Sequence, residues 1–335
     1  MRFFRFVLIL LLLFSVLAAG AGIFWFSRPM AFAPGVTQVE FRVLPGMGVR
    51  SVAQSLNQAG VAAHPDLLAL AARLSGRGRA VRAGVYALPA GSAPRDLLNL
   101  LAAGKVLQVD VRFVEGWTFR EWRQKIAARP DLAQVAGRLS DAELMARLGM
   151  AGQAPEGLFF PDTYRVDKFS DDLALFARAA RAMREHLQRE WRERAANLPY
   201  RNAYEALIMA SIVEKETGLA SDRSKIAGVF VNRLRRGMRL QTDPTVIYGL
   251  GAAFDGNLRR IHLETDTPYN TYTRDGLPPT PIAMPGLASL RAALHPASTD
   301  ALYFVARGDG GSQFSATLAE HNAAVDRYQR RRRRP

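Results

Sequence analysis

The chain has 335 residues, a formal net charge of +15 and no cysteine, so disulfides, thiol catalysis and cysteine metal sites are excluded. Its hydrophobic content of 49% is enough for true cores, and the length fits one membrane segment with two globular units. The five histidines lack metal-ligand spacing, so we predict that the protein needs neither a metal nor an organic cofactor.

The amino-terminal segment predicts a membrane anchor. Residues 7–26 read VLILLLLFSVLAAGAGIFWF and carry no charge, which is the length and composition of a transmembrane helix. Arg2 and Arg5 precede this helix, so residues 1–6 should stay in the cytoplasm. The alternative is a signal peptide cleaved after a poor site ending at Ala18, but the apolar run continues beyond that residue. We therefore expect a single-pass protein of the cytoplasmic (inner) membrane.

The predicted topology limits the partners of this basic chain. Basic proteins usually bind nucleic acid, anionic lipid or an acidic polymer. Because the bulk of the chain is expected on the periplasmic or extracellular side, we predict no nucleic-acid partner. Residues 329–335 form a basic tail in which 330–334 are all arginine. This tail is either a solvated chain end or an electrostatic contact to the membrane or cell wall.

A linker at residues 27–36 leads into a small α/β module at 37–105. Residues 37–44 alternate between polar and apolar side chains, as a half-buried strand does, and Pro45-Gly46 supplies a turn. Helical and strand patterns then follow one another in the order β-α-α-β-α. The predicted elements are residues 37–44, 51–58, 67–74, 84–88 and 96–103.

Residues 106–328 predict a larger mixed domain, so the fold class as a whole is α+β. A strand at 106–114 is followed by Trp117, Phe119 and Trp122, which either stack on sugar rings or belong to the core. Residues 155–162 are rich in turn-forming residues and predict a loop. Further helices are predicted at 139–148, 171–191, 224–235, 289–293 and 317–328, and a strand with a hairpin turn at 301–306 and 308–311.

One predicted helix of this domain combines a buried body with an acidic end. Asn202 and Glu205 form a helix start, residues 206–213 are apolar or small, and Gly218 predicts the end of the helix. Glu214 and Glu216 lie about 160° apart around the axis, so they cannot face the same cleft in the same way. The apolar neighbours of Glu216 should raise its pKa, which suits a general acid. The alternative is that both glutamates are ordinary surface acids.

Two polar segments follow this helix and predict loops. Residues 241–245 contain Gln241 and Asp243, and residues 269–272 contain Asn270 and Thr271. Amide, carboxylate and hydroxyl side chains form the hydrogen bonds by which proteins hold sugars, so we predict these four as substrate-binding residues. The alternative is that they cap turns within the protein.

Several stretches together resemble the YceG-like family. They are ASIVEKETG, VNRLRRGMRLQTDPTVIYG, YNTYTRDGLPPTPIAMPG and LHPASTDALYFVA, with VEGWTFREW and PEGLFFPDTYRV in the middle of the chain. The resemblance implies Glu216 as the catalytic acid, and we predict Glu214 as a further substrate-binding residue. The Glu216–Thr217 pair is also similar to the Glu–Ser pair of other lytic transglycosylases. Residues 37–105 resemble the LysM-like module of the family, which implies binding of N-acetylglucosamine polymers, although a plain spacer is the alternative.

The resemblance implies a membrane-anchored endolytic lytic transglycosylase. Such an enzyme cleaves nascent peptidoglycan glycan strands between N-acetylmuramic acid and N-acetylglucosamine, leaves 1,6-anhydro ends and terminates strand elongation. Its partners are the glycan strands, the membrane and cell-wall synthesis enzymes. Two alternatives stay open. One is a hydrolytic muramidase with Asp243 or Glu214 as second carboxylate, and the other is a non-catalytic anchor that binds peptidoglycan.

Overall fold

The computed structural model describes residues 2–77, 81–216 and 218–330 and divides into two compact units. The first unit comprises Met1–Asp110 and Arg165–Ser170, and the second comprises Val111–Tyr164 and Asp171–Pro335. The sequence places the boundary at 105/106 and assigns 165–170 to the second unit, whereas in the structure this short segment belongs to the first. Thr217 and residues 331–335, which make up most of the predicted basic tail, lie outside the described residues.

The first unit is built on one antiparallel strand pair. Strand β1 (Gln38–Val43) pairs with β2 (Gly84–Pro89), with Val43 opposite Gly84 at one end. Alternate side chains of β1 are buried, as its sequence pattern predicts. The helices are α2 (Val49–Gln58), α3 (Pro65–Leu74) and α4 (Pro94–Ala102). The predicted order β-α-α-β-α is therefore confirmed, while the likeness to a LysM module stays a prediction.

Helix α1 (Arg2–Ser27) is long and apolar enough to cross a membrane, and among the described residues it is the one helix that is so. None of its most apolar stretch is buried inside the protein. At its end, Trp25 and Phe26 pack against the apolar core of the first unit. The length and the apolar composition of α1 therefore agree with the predicted membrane anchor.

The second unit is mainly helical, and its strands β5 (Tyr303–Ala306) and β6 (Ser312–Ser315) form the predicted hairpin. Strands β3 (Gln108–Arg112) and β4 (Thr163–Asp167) pair with each other, and each of them contains residues assigned to both units. The helices are α5 (Phe119–Ala127), α6 (Asp141–Arg147), α7 (Asp172–Arg192), α8 (Ala203–Glu216), α9 (Ala220–Arg235), α10 (Asp243–Leu250), α11 (Arg260–Glu264), α12 (Leu287–Leu294) and α13 (Leu318–Val325). Short 3-10 turns lie at Ala136–Arg138 and Gly251–Ala253, and a π-helical turn at Asp326–Arg330.

Helix α8 forms the centre of the second unit. Its side chains are buried without interruption from Glu205 to Val213, and α7, α9 and α12 pack around it. The Oδ1 atom of Asn202 accepts a hydrogen bond from the Glu205 N–H at 3.0 Å, which confirms the predicted helix start. Each large apolar side chain buried here contributes about 1.5–3 kcal/mol, so the position of α8 is held firmly.

The aromatic residues after β3 belong to the core. Phe119 and Trp122 are buried on α5, and the Trp122 ring stacks on Phe113 with ring centres 3.7 Å apart. Of the three aromatic residues considered for sugar contact, only Trp117 keeps a partly exposed ring.

The prediction of a loop at 241–245 is wrong from Asp243 onward. Helix α10 begins at Asp243, with Pro244 in its first turn. Proline lacks the N–H that the first turn of a helix leaves unbonded anyway, so it favours a helix start at this position. Asp243 is therefore presented at the amino-terminal end of a helix rather than on a turn.

Candidate active site

Glu216 is the last residue of α8, where the buried helix reaches a half-buried position. One carboxylate oxygen, Oε1, accepts a hydrogen bond from the hydroxyl of Thr242, just before α10. The pKa of Glu216 is raised to about 7, because burial and the charge of Asp243 raise it by more than the Thr242 hydrogen bond lowers it. The direction that the apolar neighbours predict is confirmed. An acid of this pKa can both donate and accept a proton near neutral pH.

Arg233 brings a positive charge to the same region, and the sequence analysis missed it. Its side chain is buried on α9, and Nε donates to the carbonyl oxygen of Leu302 at 2.7 Å. Nη1 donates to the carbonyl oxygen of Leu240 at 2.9 Å and to Oε1 of Gln241 at 3.3 Å. Its charge lowers the pKa of Glu216, against the larger effect of burial. In a chain this rich in arginine, no local pattern distinguishes Arg233 from the others.

Tyr272 and Asp243 form a second polar pair beside the acid. The Tyr272 hydroxyl donates to Oδ1 of Asp243 at 2.6 Å. The pKa of Tyr272 is raised by burial and by its bond to this carboxylate, so the phenol stays protonated. Asp243 itself is exposed. The predicted loop at 269–272 contains Tyr272, but the sequence analysis gave it no role.

Gln241 has a strained backbone at this site. Its φ of 49° lies in the left-handed region, which residues other than glycine seldom occupy. Its N–H donates to the carbonyl oxygen of Thr271 at 3.1 Å, and its side chain accepts from Arg233. The predicted residues Gln241, Asp243 and Glu216 therefore lie in one region of the fold.

Asn270 and Thr271 are buried. The exposed fraction of Asn270 is 0%, and its Nδ2 donates to the carbonyl oxygens of His262, Leu263 and Thr265. Oδ1 accepts from the Tyr272 N–H at 2.9 Å.

Thr271 is also buried, and its Oγ1 accepts from the Thr242 N–H at 3.1 Å. In this structure the polar groups of both side chains form hydrogen bonds within the protein, where they hold the loops that carry Thr242 and Tyr272. Their contacts are those of the alternative that the sequence leaves open, in which these residues cap turns within the protein.

Alanine at Asn270 should therefore lower stability rather than substrate affinity alone. The change leaves three carbonyl groups and one N–H, all at half-buried bonds, without their Asn270 partner. A fully buried unsatisfied group costs about 1–3 kcal/mol, and a half-buried one costs less because water reaches it. We expect a loss of about 2–4 kcal/mol, measured as a lower midpoint of thermal unfolding. Asn257→Ala, at an exposed position, is the matched control and should change little. An unchanged midpoint for Asn270→Ala would restore Asn270 as a candidate for direct sugar contact.

Glu214 points away from Glu216, as the helical geometry predicts. Its Oε2 accepts a hydrogen bond from the Gly286 N–H at 3.0 Å. Glu115 lies nearby, and its pKa is raised by burial and by the charge of Glu214. The contacts of Glu214 are thus made with a different part of the second unit from those of Glu216.

Comparison with known proteins identifies the family. The model of the YceG-like family matches residues 41–327, and the chain belongs to this family. The chain is 41% identical over 177 residues to the endolytic murein transglycosylase of Bacillus subtilis, covering 52% of this chain and 48% of that one. It is 27% identical over 315 residues to the endolytic murein transglycosylase of Streptococcus pneumoniae serotype 2, covering 82% and 55%. The chain thus spans about half the length of these relatives.

A solved structure supports the same assignment. The crystal structure of a YceG-like protein from Listeria monocytogenes matches with a TM-score of 0.55 and 28% sequence identity. The match covers 86% of this chain and 98% of that one. The resemblance to the YceG-like family that is seen in the motifs around Glu216 therefore extends over most of the chain.

Proposed function

We propose that this chain is an endolytic murein lytic transglycosylase with Glu216 as its catalytic acid and base. The observation that carries the proposal is the state of Glu216, a carboxyl group with a pKa of about 7 at the end of a buried helix. Oε1 is held by Thr242, and Oε2 makes no hydrogen bond with any residue that the structure describes, so it can carry the proton toward a ligand. The names of the relatives support murein as the substrate.

In the proposed reaction Glu216 first protonates the oxygen that links N-acetylmuramic acid to N-acetylglucosamine. The bond between this oxygen and C1 of the muramic acid then breaks, and positive charge develops at C1. The resulting carboxylate takes the proton from the C6 hydroxyl of the same muramic acid, whose oxygen bonds to C1. The product carries a 1,6-anhydro ring, and Glu216 regains its proton. Because the nucleophile is already part of the substrate, its effective concentration is very high.

The neighbours of Glu216 have distinct parts in this scheme. Thr242 orients the carboxyl group through its hydroxyl. Asp243, held by Tyr272, places a negative charge where it favours the developing charge at C1 and keeps the pKa of Glu216 high. Gln241, anchored on Arg233, lies in the same region with its side chain exposed and is proposed to bind the sugar.

A hydrolytic muramidase is the second candidate, because Asp243 gives the site a second carboxylate. In that mechanism Asp243 would activate water or stabilise the charged sugar while Glu216 acts as acid. The two candidates differ in the source of the oxygen atom at the new muramic acid end.

Digestion in heavy-oxygen water should distinguish them. With the full-length chain in detergent and purified glycan strands, we expect no heavy oxygen in the new muramic acid ends, since the C6 hydroxyl supplies the oxygen. Mass spectrometry of the products gives the measurement, and a known muramidase serves as the control that incorporates label. Stoichiometric label in the primary product would establish the muramidase instead, and absence of cleavage would favour the non-catalytic anchor.

We further propose that α1 anchors the chain in the cytoplasmic membrane with both globular units outside, where the enzyme terminates nascent strands. The apolar composition of α1 and the preceding Arg2 and Arg5 support this topology. Protease added to intact spheroplasts should digest the chain beyond about residue 30, while a tag placed before Arg2 stays protected. A cytoplasmic marker protein controls for leakage. A soluble mature form that begins near Ala19 would contradict the anchor.

A further inference from the structure

A cavity beside Glu216 has no part in the mechanism above. It has a volume of about 660 Å³, within the range of sites that bind small molecules. Its walls come largely from the start of α5 and from α10, so we call it the α5–α10 cavity. Two of its lining residues, Lys215 and Pro244, adjoin Glu216 and Asp243 in the sequence. The cavity therefore adjoins the end of α8 and the start of α10, the two helix ends that also carry Glu216 and Asp243.

The inner wall of the cavity is apolar and aromatic. Ile247 and Phe254 contribute apolar surface, and Ile282 adds to it from a neighbouring segment. The rings of Tyr248 and Tyr269 pack edge to face with their centres 4.9 Å apart. Such a wall suits aliphatic groups more than the hydroxyl-rich edge of a sugar.

The two carboxylates at the cavity are occupied by the protein itself. Glu121 caps α5, where its Oε2 accepts from the N–H and the hydroxyl of Thr118 at 2.7 and 2.8 Å. Glu156 is only 5% exposed, and it accepts from the Phe119 N–H at 3.0 Å and from the Tyr248 hydroxyl at 3.1 Å. Glu121 thus caps α5, and Glu156 joins the start of α5 to α10.

The two cations at the cavity keep capacity for a ligand. Arg120 is exposed and makes no ion pair with any residue in the described part of the chain. The Lys215 ammonium donates one hydrogen bond, to the carbonyl oxygen of Gly116 at 3.2 Å, which leaves its other protons available. A ligand that complements this cavity carries negative charge next to aliphatic groups.

We propose that the α5–α10 cavity binds the anionic peptide that N-acetylmuramic acid carries on its lactyl group in murein, with Arg120 and Lys215 pairing with the peptide carboxylates. This inference rests on the proposed function, because that function puts a muramic acid at Glu216. The aliphatic side chains of the peptide pack on the apolar wall. An unsubstituted sugar would leave both cations without a carboxylate partner.

The test compares two substrates on one protein. Full-length Glu216→Gln protein in detergent is titrated with peptide-bearing glycan strands and with the same strands after an amidase has removed the peptides. Into this protein we introduce Arg120→Gln, alone and together with Lys215→Gln. We expect about fivefold weaker binding of peptide-bearing strands for the single change and about tenfold or more for both, with binding of stripped strands unchanged. Arg120→Lys should restore most of the affinity, because it keeps the charge.

Arg184→Gln is the matched control, since it removes an exposed arginine from α7 and should leave both affinities unchanged. Equal weakening on both substrates would overturn the inference and assign the cavity to a sugar ring, and no weakening on either would show that the cavity stays empty in the complex. Product analysis with the unmodified protein reports separately on the proposed function. If the protein cleaves strands to 1,6-anhydro ends but fails the binding test, only the proposal of peptide binding in the α5–α10 cavity is rejected.

Discussion

Glutamine in place of Glu216 should abolish cleavage of glycan strands while leaving the protein folded. The amide has nearly the same shape and can still accept the hydrogen bond from Thr242, but it has no acidic proton to give to the glycosidic oxygen. General acid catalysis contributes about 10²- to 10⁴-fold, and Glu216 also acts as the base, so we expect a loss of at least about 10³-fold. Chromatography of the released muropeptides gives the rate, and thermal unfolding verifies the fold.

The pH dependence gives a second measure of the same residue. The first step needs the protonated form of Glu216, whose pKa is raised to about 7. As the pH rises through about 7 the protonated fraction falls, so the cleavage rate of the unmodified protein should fall with it. A rate that stays constant well above this pH would contradict the assignment of Glu216 as the acid.

Glu214→Gln is the matched control on the same helix. The bond from the Gly286 N–H to Glu214 can be kept by the amide oxygen of glutamine, and Glu214 does not contact Thr242 or Asp243. We expect activity within a few-fold of the unmodified protein. If Glu214→Gln were inactive and Glu216→Gln active, the two roles would have to be exchanged.

Alanine at Gly157 should destabilise the second unit by about 3 kcal/mol or more. Gly157 has a φ of +80°, a conformation that costs other residues about 1 kcal/mol or more. A Cβ there would also lie 2.5 Å from Cβ and Cγ of Pro281, a ring that cannot rotate away. Because Glu156 directly precedes it, the shift should also disturb the bonds from Glu156 to Phe119 and Tyr248. The midpoint of thermal unfolding gives the stability.

Gly152→Ala separates the cost of backbone strain from the cost of the close approach to Pro281. Gly152 has almost the same φ, +79°, but nothing lies within 4 Å of the added Cβ. It should therefore cost only the backbone strain, about 1 kcal/mol. Equal losses for the two variants would mean that Pro281 moves aside at little cost, so that the close approach at Gly157 contributes nothing.

Local patterns in the sequence were sufficient to predict α8 and the elements of the first unit. The continuous apolar run of α8 predicts a buried helix, and its two terminal carboxylates at different angles predict one acid in an apolar setting and one elsewhere. The alternation of β1 and the helical periodicities after it predict the β-α-α-β-α unit. These features depend on residues close together in the chain, so their spacing is enough to reveal them.

The sequence is ambiguous where one residue type serves two purposes. Asp243 and Pro244 occur both in loops and at helix starts, and only the structure shows that α10 begins there. Asn270 has the chemistry of a sugar-binding residue and of a loop clamp. Its complete burial, which depends on the packing of segments around it, gives it the second role in this structure.

The sequence by itself determined that Glu216 ends a buried helix and that its pKa is raised, because burial along α8 follows from its own apolar residues. Only the tertiary structure decided which groups meet Glu216. Thr242, Arg233 and Tyr272 come from separate segments, and nothing in their local sequence marks them for this site. The charges that tune an acid act through space over a few ångströms, so they are set by the packing of distant segments and not by the order of residues along the chain.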